Sequence, residues 1–278
     1  MSALGLTRLD RVSDTSNWSE AWSIIGGRVI RTISRIATLY DLCPFDLKLR
    51  VLLQLPRFRW IDLYDEALID EEIDRVAKKT VELQRGFQEW SRQETVDSLE
   101  KEKTEVSSAD ETTANIIHER FHYIGSSHRG RHFALCCSGR NVPAALATVS
   151  GMDVQKLRNC LPHAQSKTLL LSRVFAFRWA PRNTLSYLLG AVTRRLKREG
   201  EFSSVVTWIN PNLGFQAAGY RAANWRYWRS ESATYRYLSG NYISARQLFC
   251  ARLDSSSDVT FSQFRLAPFE VWYYRMDS

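Results

Sequence analysis

The sequence predicts a mixed α/β protein whose sheet is built around a central parallel βαβ unit, preceded by a helical N-terminal extension. Three observations carry this reading. Residues 169–177 (LLLSRVFAF) are a continuous apolar strand pattern, closed by a Pro-Arg-Asn-Thr turn at 181–184. Leu185, Leu188, Leu189, Val192 and Leu196 then fall on one stripe at the i, i+3, i+4, i+7 spacing of a half-buried helix. Residues 205–209 are a second short apolar run. A strand, a helix and a strand in that order predict a parallel pair with a right-handed crossover.

The N-terminal part reads as a separate helical element. Residues 1–16 read as disordered. Asn17 and Glu20 have the spacing of a capping box. Trp18, Trp22, Ile25, Val29, Ile33 and Ile36 follow at near-helical spacing, interrupted by Gly26 and Gly27. Pro44 and Pro56 break the next segments, and a second helix pattern covers residues 68–90. The stretch that follows is rich in Glu, Lys, Ser, Thr and Asp and reads as a linker or a solvated helix end. The expected division is an extension over 1–92, a linker over 93–114 and the main α/β domain over 115–278.

Within that domain a helix is expected to end near His122, before Gly125 and Ser126. Residues 133–137 and 142–149 read as a hairpin around Ser138-Gly139-Arg140-Asn141. Gly214 leads into a small-residue helix at 215–223 that stops at Asn224-Trp225. Residues 234–238 and 242–243 flank Ser239-Gly240-Asn241, with a short helix near 245–253 and a last strand near 270–275.

Charge narrows the partner. The formal net charge is +8 and the pI about 9.4, and the charge is unevenly spread. Residues 62–111 hold 16 acidic and 7 basic side chains, a balance of −9, whereas residues 154–253 hold 16 Lys/Arg against 3 Glu, a balance of +13. A basic half beside an acidic one suggests a surface that faces a polyanion or a phosphate-bearing ligand. Mean hydropathy is −0.31, and no run approaches the ~20 apolar residues of a membrane span. Residues 1–12 carry no apolar targeting core, so a cytoplasmic protein is expected, with no membrane partner. Five cysteines without a CxxC pair point to neither a disulfide framework nor a zinc site.

The 181–184 turn precedes a helix, where unpaired N–H groups and the helix dipole favour an anion. Asn183 or Thr184 is a natural N-cap, and Arg182 adds a fixed positive charge. The plain alternative is a capped helix start with an exposed arginine. Asn224-Trp225-Arg226-Tyr227-Trp228-Arg229 interleaves aromatic and cationic residues. Such a run can stack bases and hold a nucleic-acid backbone. Read as a strand, it places Trp225, Tyr227 and Arg229 on one face and Arg226 and Trp228 on the other.

The order of these elements resembles the GNAT acyltransferase superfamily, and three segments resemble the Mom-type phage proteins that modify adenine in DNA. They are His122-Tyr123 with Gly125-Ser126, Leu171-Ser172-Arg173 with Ala180-Pro181-Arg182-Asn183-Thr184, and Asn210-Pro211, Gly214, Tyr220, Ala222 and Asn224-Trp225. The resemblance covers roughly residues 115–250. Asn210 stands where that family has an aspartate, and Phe215 where a histidine is usual. The usual acyl-CoA turn of GNATs is replaced by Arg182-Asn183-Thr184. The resemblance implies a transferase that adds a small carbonyl-bearing group, of carbamoylmethyl or acyl type, to adenine N6 in DNA. It implies Tyr220 as general acid, His122 and Tyr123 as base and orienting group, and Asn210 as a hydrogen-bonding group. Arg182, Asn183, Thr184 and Asn224 would hold the donor, an acyl-CoA or related small activated metabolite. Arg221, Trp225, Arg226 and Arg229 would meet the DNA. No metal is placed here, because Asn210 is a poor ligand in the family's His, Tyr, Asp, Tyr set. The modified base would protect phage or mobile-element DNA from restriction. Two other readings stand beside this one: an N-acyltransferase acting on a small amine or a protein, and a non-catalytic DNA-binding accessory protein on a GNAT scaffold.

Overall fold

A computed structural model describes residues 17–96, 99, 104–151, 167–244, 247 and 259–276. The expectations for residues 1–16, and for the helix near 245–253 apart from Gln247, lie outside the described residues. In chain order the helices are α1 (Trp18–Leu39), α2 (Pro44–Gln54), α3 (Glu66–Gln84), α4 (Gln88–Ser91), α5 (Glu111–Ile116), α6 (Thr184–Glu199) and α7 (Ala218–Ala222). The strands are β1 (Thr104–Ala109), β2 (Arg131–Cys137), β3 (Ala145–Gly151), β4 (Thr168–Ala176), β5 (Ser204–Ile209), β6 (Arg226–Glu231), β7 (Arg236–Leu238), β8 (Asn241–Ile243), β9 (Val259–Phe261) and β10 (Phe269–Arg275). Two compact units result. One draws on Met1–Glu82, Asn210–Gly214 and Ser232–Phe269, the other on Leu83–Ile209, Phe215–Glu231 and Glu270–Ser278. The helical extension is therefore not a unit of its own, because later chain returns to complete it.

In the first unit α1 buries Trp18, Ala21, Ile25, Val29, Ile33 and Ile36, the stripe its spacing predicts. Asn17 caps it by accepting the Ser19 N–H at 3.1 Å. Gly26 and Gly27 do not interrupt this helix. A Cβ at Gly26 would meet the Trp22 ring at 2.9 Å, so the glycine makes room for the indole one turn back. Pro44 likewise starts a helix rather than breaking one, since it sits at the first turn of α2, where its missing N–H costs nothing. The two runs that flank Ser239-Gly240-Asn241 pair as β7 and β8, with Tyr237 opposite Tyr242, and β9 completes an antiparallel sheet of order β8-β7-β9. The buried Tyr237 hydroxyl donates to the Leu53 carbonyl at 3.1 Å. Glu72, 4% exposed, accepts two hydrogen bonds from Arg57 and two from Arg75, all between 2.7 and 2.8 Å.

The second unit carries a seven-stranded sheet of order β1-β2-β3-β4-β5-β10-β6. β4 and β5 are parallel, as expected. α6 crosses β1 to β4 and buries Leu188, Leu189, Val192 and Leu196 against them. Two local expectations change. The expected linker holds an edge strand, β1, which pairs with β2 from Thr104↔Cys137 to Ala109↔His132. Its polar composition suits an edge that solvent reaches. The helix expected at 215–223 shortens to α7, because Phe215 turns aside to meet the Tyr123 ring at 5.5 Å. Among the described residues no helix is long and apolar enough to cross a membrane.

Glu72 gives a pH prediction. Burial works to raise its carboxyl, and the guanidinium groups of Arg57 and Arg75 outweigh that and hold it below the usual carboxylate range. A depressed native pKa contributes stability that is complete above the unfolded value of about 4.3 and is lost as pH falls through the native value. Glu72→Gln is expected to cost about 3–5 kcal/mol at neutral pH, as removal of one partner from a buried pair does. Urea unfolding at pH 7 and pH 4 should show the variant losing less stability on acidification than the parent.

Candidate active site

The ladder between β4 and β5 runs over only three pairs, Thr168↔Ser204, Leu169↔Val205 and Leu170↔Val206. Beyond them β4 continues to Ala176 and β5 to Ile209 without pairing each other. A parallel pair that stops pairing leaves main-chain N–H and C=O groups that need another partner. One side chain bridges the start of this fork. The Thr207 hydroxyl, 4% exposed, donates to the Leu171 carbonyl at 3.0 Å. Burial pushes the Tyr220 phenol up to about 12, against a smaller opposing effect of Thr207, so the phenol keeps its proton at neutral pH.

The βα connection places the start of α6 at the end of the fork where the strands have parted. Asn183 is the N-cap residue in the left-handed region, φ 64°, and its side chain makes no capping bond. The Thr184 hydroxyl is spent on the Pro181 carbonyl at 2.7 Å, and the Thr184 N–H points to the same oxygen at 3.3 Å. The next two N–H groups, of Leu185 and Ser186, have no intrahelical acceptor by helix geometry. With exposed Arg182 beside them, they form a place for an anion.

His122 arrives from the other side of the sheet. α5 is capped by Asp110, which accepts the Thr113 N–H at 2.8 Å. It widens into a π-turn over Ile117–Phe121 that His122 closes, donating its N–H to the Ile117 carbonyl at 2.8 Å. Gly125, at φ 64°, then reverses the chain. His122 is 2% exposed, stacks on Tyr123 at 4.3 Å and accepts the Ile124 N–H on Nδ1 at 3.2 Å. The Phe175 ring of β4 lies 6.4 Å from it. Arg173 of β4 donates to Ser126 Oγ at 3.2 Å. The segments singled out in the sequence thus approach one another here: His122, Tyr123 and Ser126 lie against Phe175 and Arg173, and Tyr123 lies against Phe215.

The remaining candidates separate. Asn210 belongs to the first unit. There its amide donates to the Tyr235 hydroxyl at 2.7 Å, and its oxygen accepts the Asn212 N–H at 3.1 Å and the Asn212 amide at 3.0 Å. Its side chain caps the turn Pro211–Leu213. Trp225, expected at a nucleic-acid surface, is 4% exposed and packs edge-on to Tyr220 at 5.4 Å and against Tyr274. It is a core residue that supports α7 and the phenol. Arg229 is held by Glu231 at 2.5 Å. Arg221, Asn224 and Arg226 are exposed, with Arg221 over the Trp272 ring at 5.9 Å. Among the described residues no group of three or more His, Cys, Asp or Glu side chains is placed to hold a metal.

Sequence reasoning missed Thr207, whose neighbours in the apolar run concealed it. It also missed a buried group of imidazoles. Of five histidines in the chain, His118, His122, His128 and His132 are all less than 9% exposed. Their crowding between residues 118 and 132 was the available signal.

A forked parallel pair in a mixed seven-stranded sheet, with a helix starting at its open end, gives the GNAT-like fold expected from the sequence. Within that class, the chain matches the Mom protein family over residues 103–275, more than half its length, and it belongs to that family. No curated protein matches it. Solved structures similar to it include the ribosomal-protein-S18-alanine N-acetyltransferase from Escherichia coli, with 14% identity, 62% of this chain and 94% of that one covered, and a TM-score of 0.40. A putative acetyltransferase from Salmonella typhimurium with acetyl-CoA has 11% identity, 63% and 95% coverage and a TM-score of 0.40. A Bacillus subtilis acetyltransferase in complex with CoA has 10% identity, 62% and 99% coverage and a TM-score of 0.36.

The burial of Trp225 sets a contrast with its exposed neighbour. Trp225→Ala is expected to cost about 3–5 kcal/mol, and Arg226→Ala to stay within about 0.5 kcal/mol of the parent. Urea unfolding followed by circular dichroism checks both.

Proposed function

We propose that the protein is a transferase that moves a small carbonyl-bearing group from an acyl-CoA or related activated donor to the N6 amine of adenine in DNA. The observation that carries this reading is the fork between β4 and β5, with the neutral Tyr220 phenol beside Thr207. The free main-chain groups along the fork suit an extended amide-bearing donor arm. The start of α6, with Arg182, suits the donor's phosphates, while Asn183 and Thr184 shape the turn. Asn224, exposed at the end of α7, is a further candidate for donor contact. For an acyl donor, the amine nitrogen attacks the carbonyl carbon, the new C–N bond forms and the C–S bond breaks. The departing sulfur takes the Tyr220 proton, and the proton shed by the amine passes to His122, which Tyr123 orients by stacking. A phenol near 12 keeps its proton at neutral pH and so serves as acid rather than base.

Support for DNA as acceptor comes from membership of the Mom family and from the charge of residues 154–253. Exposed Arg221 and Arg226 are the cations proposed for the backbone, with Tyr227, 50% exposed on the edge strand β6, as a stacking surface. Adenine N6 is reached by flipping the base out of the stack or by taking it single-stranded. A mark at N6 would shield phage or mobile-element DNA from restriction nucleases.

The deciding experiment is mass spectrometry of nucleosides from plasmid DNA of cells expressing the protein. A new deoxyadenosine derivative is expected, and its mass gives the transferred group. Tyr220→Phe should lower its yield about 10²-fold or more, the usual loss of a general acid. Unmodified DNA in several hosts, together with acetyl transfer to simple amines, would replace this reading with a small-amine acyltransferase. Arg182→Ala should raise the donor KM about tenfold and leave kcat within about twofold, the mark of lost uniform binding.

A further inference from the structure

We propose that His118, Thr148 and His132 form a proton wire that carries the amine proton from His122 along one face of the sheet to a cleft on the surface. The inference rests on the reading of His122 as proton acceptor given above. His132 Nδ1 lies 2.9 Å from the Thr148 hydroxyl, and that same hydroxyl lies 3.1 Å from His118 Nε2. The three groups therefore share one hydroxyl proton. Thr148 and His118 are 0% exposed and His132 is 7% exposed. They come from three elements, the π-turn, β2 and β3, and Thr148 sits at the bulge where the β3–β4 register shifts. The bulge turns its hydroxyl toward two imidazoles at once.

Each end of the wire has a neighbour suited to it. At the inner end the His118 ring stands edge-on to His122, centroids 6.4 Å apart. Its other nitrogen, Nδ1, is buried and makes no hydrogen bond with protein. A buried bare nitrogen beside a second imidazole is a place for one bridging water. At the outer end His132 lines an open cleft of about 600 Å³ together with Glu111, Arg129 and Arg131. Arg131 is held in a two-bond pair by Glu199 at 2.7 Å, which leaves the Glu111 carboxylate beside His132 as the terminal acceptor. The charged groups around the wire are Arg173, His128 and His132 on His118, and Glu111 and Asp110 on His132. Burial first, and then Arg173 and the neighbouring imidazoles, lower His118 to about 3, so it rests neutral with a lone pair available.

The transfer balances. His122 takes the proton on Nδ1, in place of the hydrogen bond that nitrogen accepts from the Ile124 N–H, and gives up its Nε2 proton to the bridging water. The water passes one proton to His118 Nδ1. His118 releases its Nε2 proton to Thr148, Thr148 gives its own to His132 Nδ1, and His132 Nε2 releases one proton to the cleft. No residue of the wire gains net charge.

Thr148→Val keeps the shape and removes the shared hydroxyl, Thr148→Ser restores it, and His132→Ala opens the wire to the cleft. With wild-type DNA-modifying activity as reference, Thr148→Val is expected to lose tenfold or more in kcat at unchanged donor KM. Thr148→Ser should stay within threefold, and free imidazole should rescue His132→Ala in a concentration-dependent way. A Thr148→Val kcat within twofold of wild type, or a His132→Ala loss that imidazole does not relieve in a folded variant, overturns the wire. Nitrogen-15 NMR of the ring nitrogens reads the same arrangement without turnover. A single hydroxyl requires opposite protonation of His118 Nε2 and His132 Nδ1, and both protonated or both bare overturns the proposal. A wild-type protein that modifies no base would sink the functional reading, and the NMR result would then decide the wire alone.

Discussion

The fork between β4 and β5 is the constraint on which the rest of the second unit depends. Three residue pairs hold the strands parallel, and then a side chain replaces the ladder: Thr207 reaches Leu171 where a main-chain bond would otherwise stand. Had the ladder continued, the main chain would be satisfied and closed to any ligand. Because it stops, main-chain groups along the fork need other partners; Thr207 serves the Leu171 carbonyl and Arg173 the Ser172 carbonyl. α6 and α7 are placed by this same geometry. The first starts where the strands have parted, and the second lays Tyr220 against the bridging threonine.

The aromatic packing keeps the fork open. Trp225 lies edge-on to Tyr220 and also touches Tyr274 of β10. Phe121, Phe175 and Phe177 pack edge to face beneath His122 and continue to Trp179, whose indole N–H donates to the Trp90 carbonyl at 2.7 Å. Rings of this size, crossing at steep angles, fill space without collapsing onto one another. They also explain why Trp225 is spent on support. A buried residue that supports the phenol is not available to stack on a ligand, and under the proposed function that role moves to exposed residues beyond it on the edge strand.

The βαβ unit was legible because its signals are local: a nine-residue apolar strand, a helix stripe and a second apolar run each declare themselves within a few turns of chain. The hairpins at Ser138 to Asn141 and Ser239 to Asn241 were legible for the same reason. β1 was not, since Thr104–Ala109 (TEVSSA) has the composition of a solvated loop and becomes a strand only by pairing with β2. The two-unit division was also hidden. Asn210–Gly214 and residues 232–269 join a body formed by the first 82 residues, and no local pattern records such a return. At the site, the sequence pointed to His122, Tyr123 and Tyr220 through their motif order. It could not show that Asn210 is used as a turn cap, that Thr207 reaches across to Leu171 or that Thr148 bridges two imidazoles, because these facts depend on which strands lie side by side.

One physical cause prepares both sides of the proposed reaction. Taking an ionisable group out of water disfavours its charged form, which raises a phenol and lowers an imidazole. Tyr220 is pushed to about 12 and His118 to about 3 by that same desolvation. At neutral pH the first therefore holds its proton and the second holds a lone pair, so the proposed acid and the proposed relay imidazole coexist uncharged within one unit. Charged groups could reach the same end only with counter-ions, and those would compete with an anionic donor and a polyanionic acceptor. Burial sets the protonation states without adding charge, which leaves the exposed arginines of α7 and β6 free of that task and open to the acceptor that the proposed function gives them.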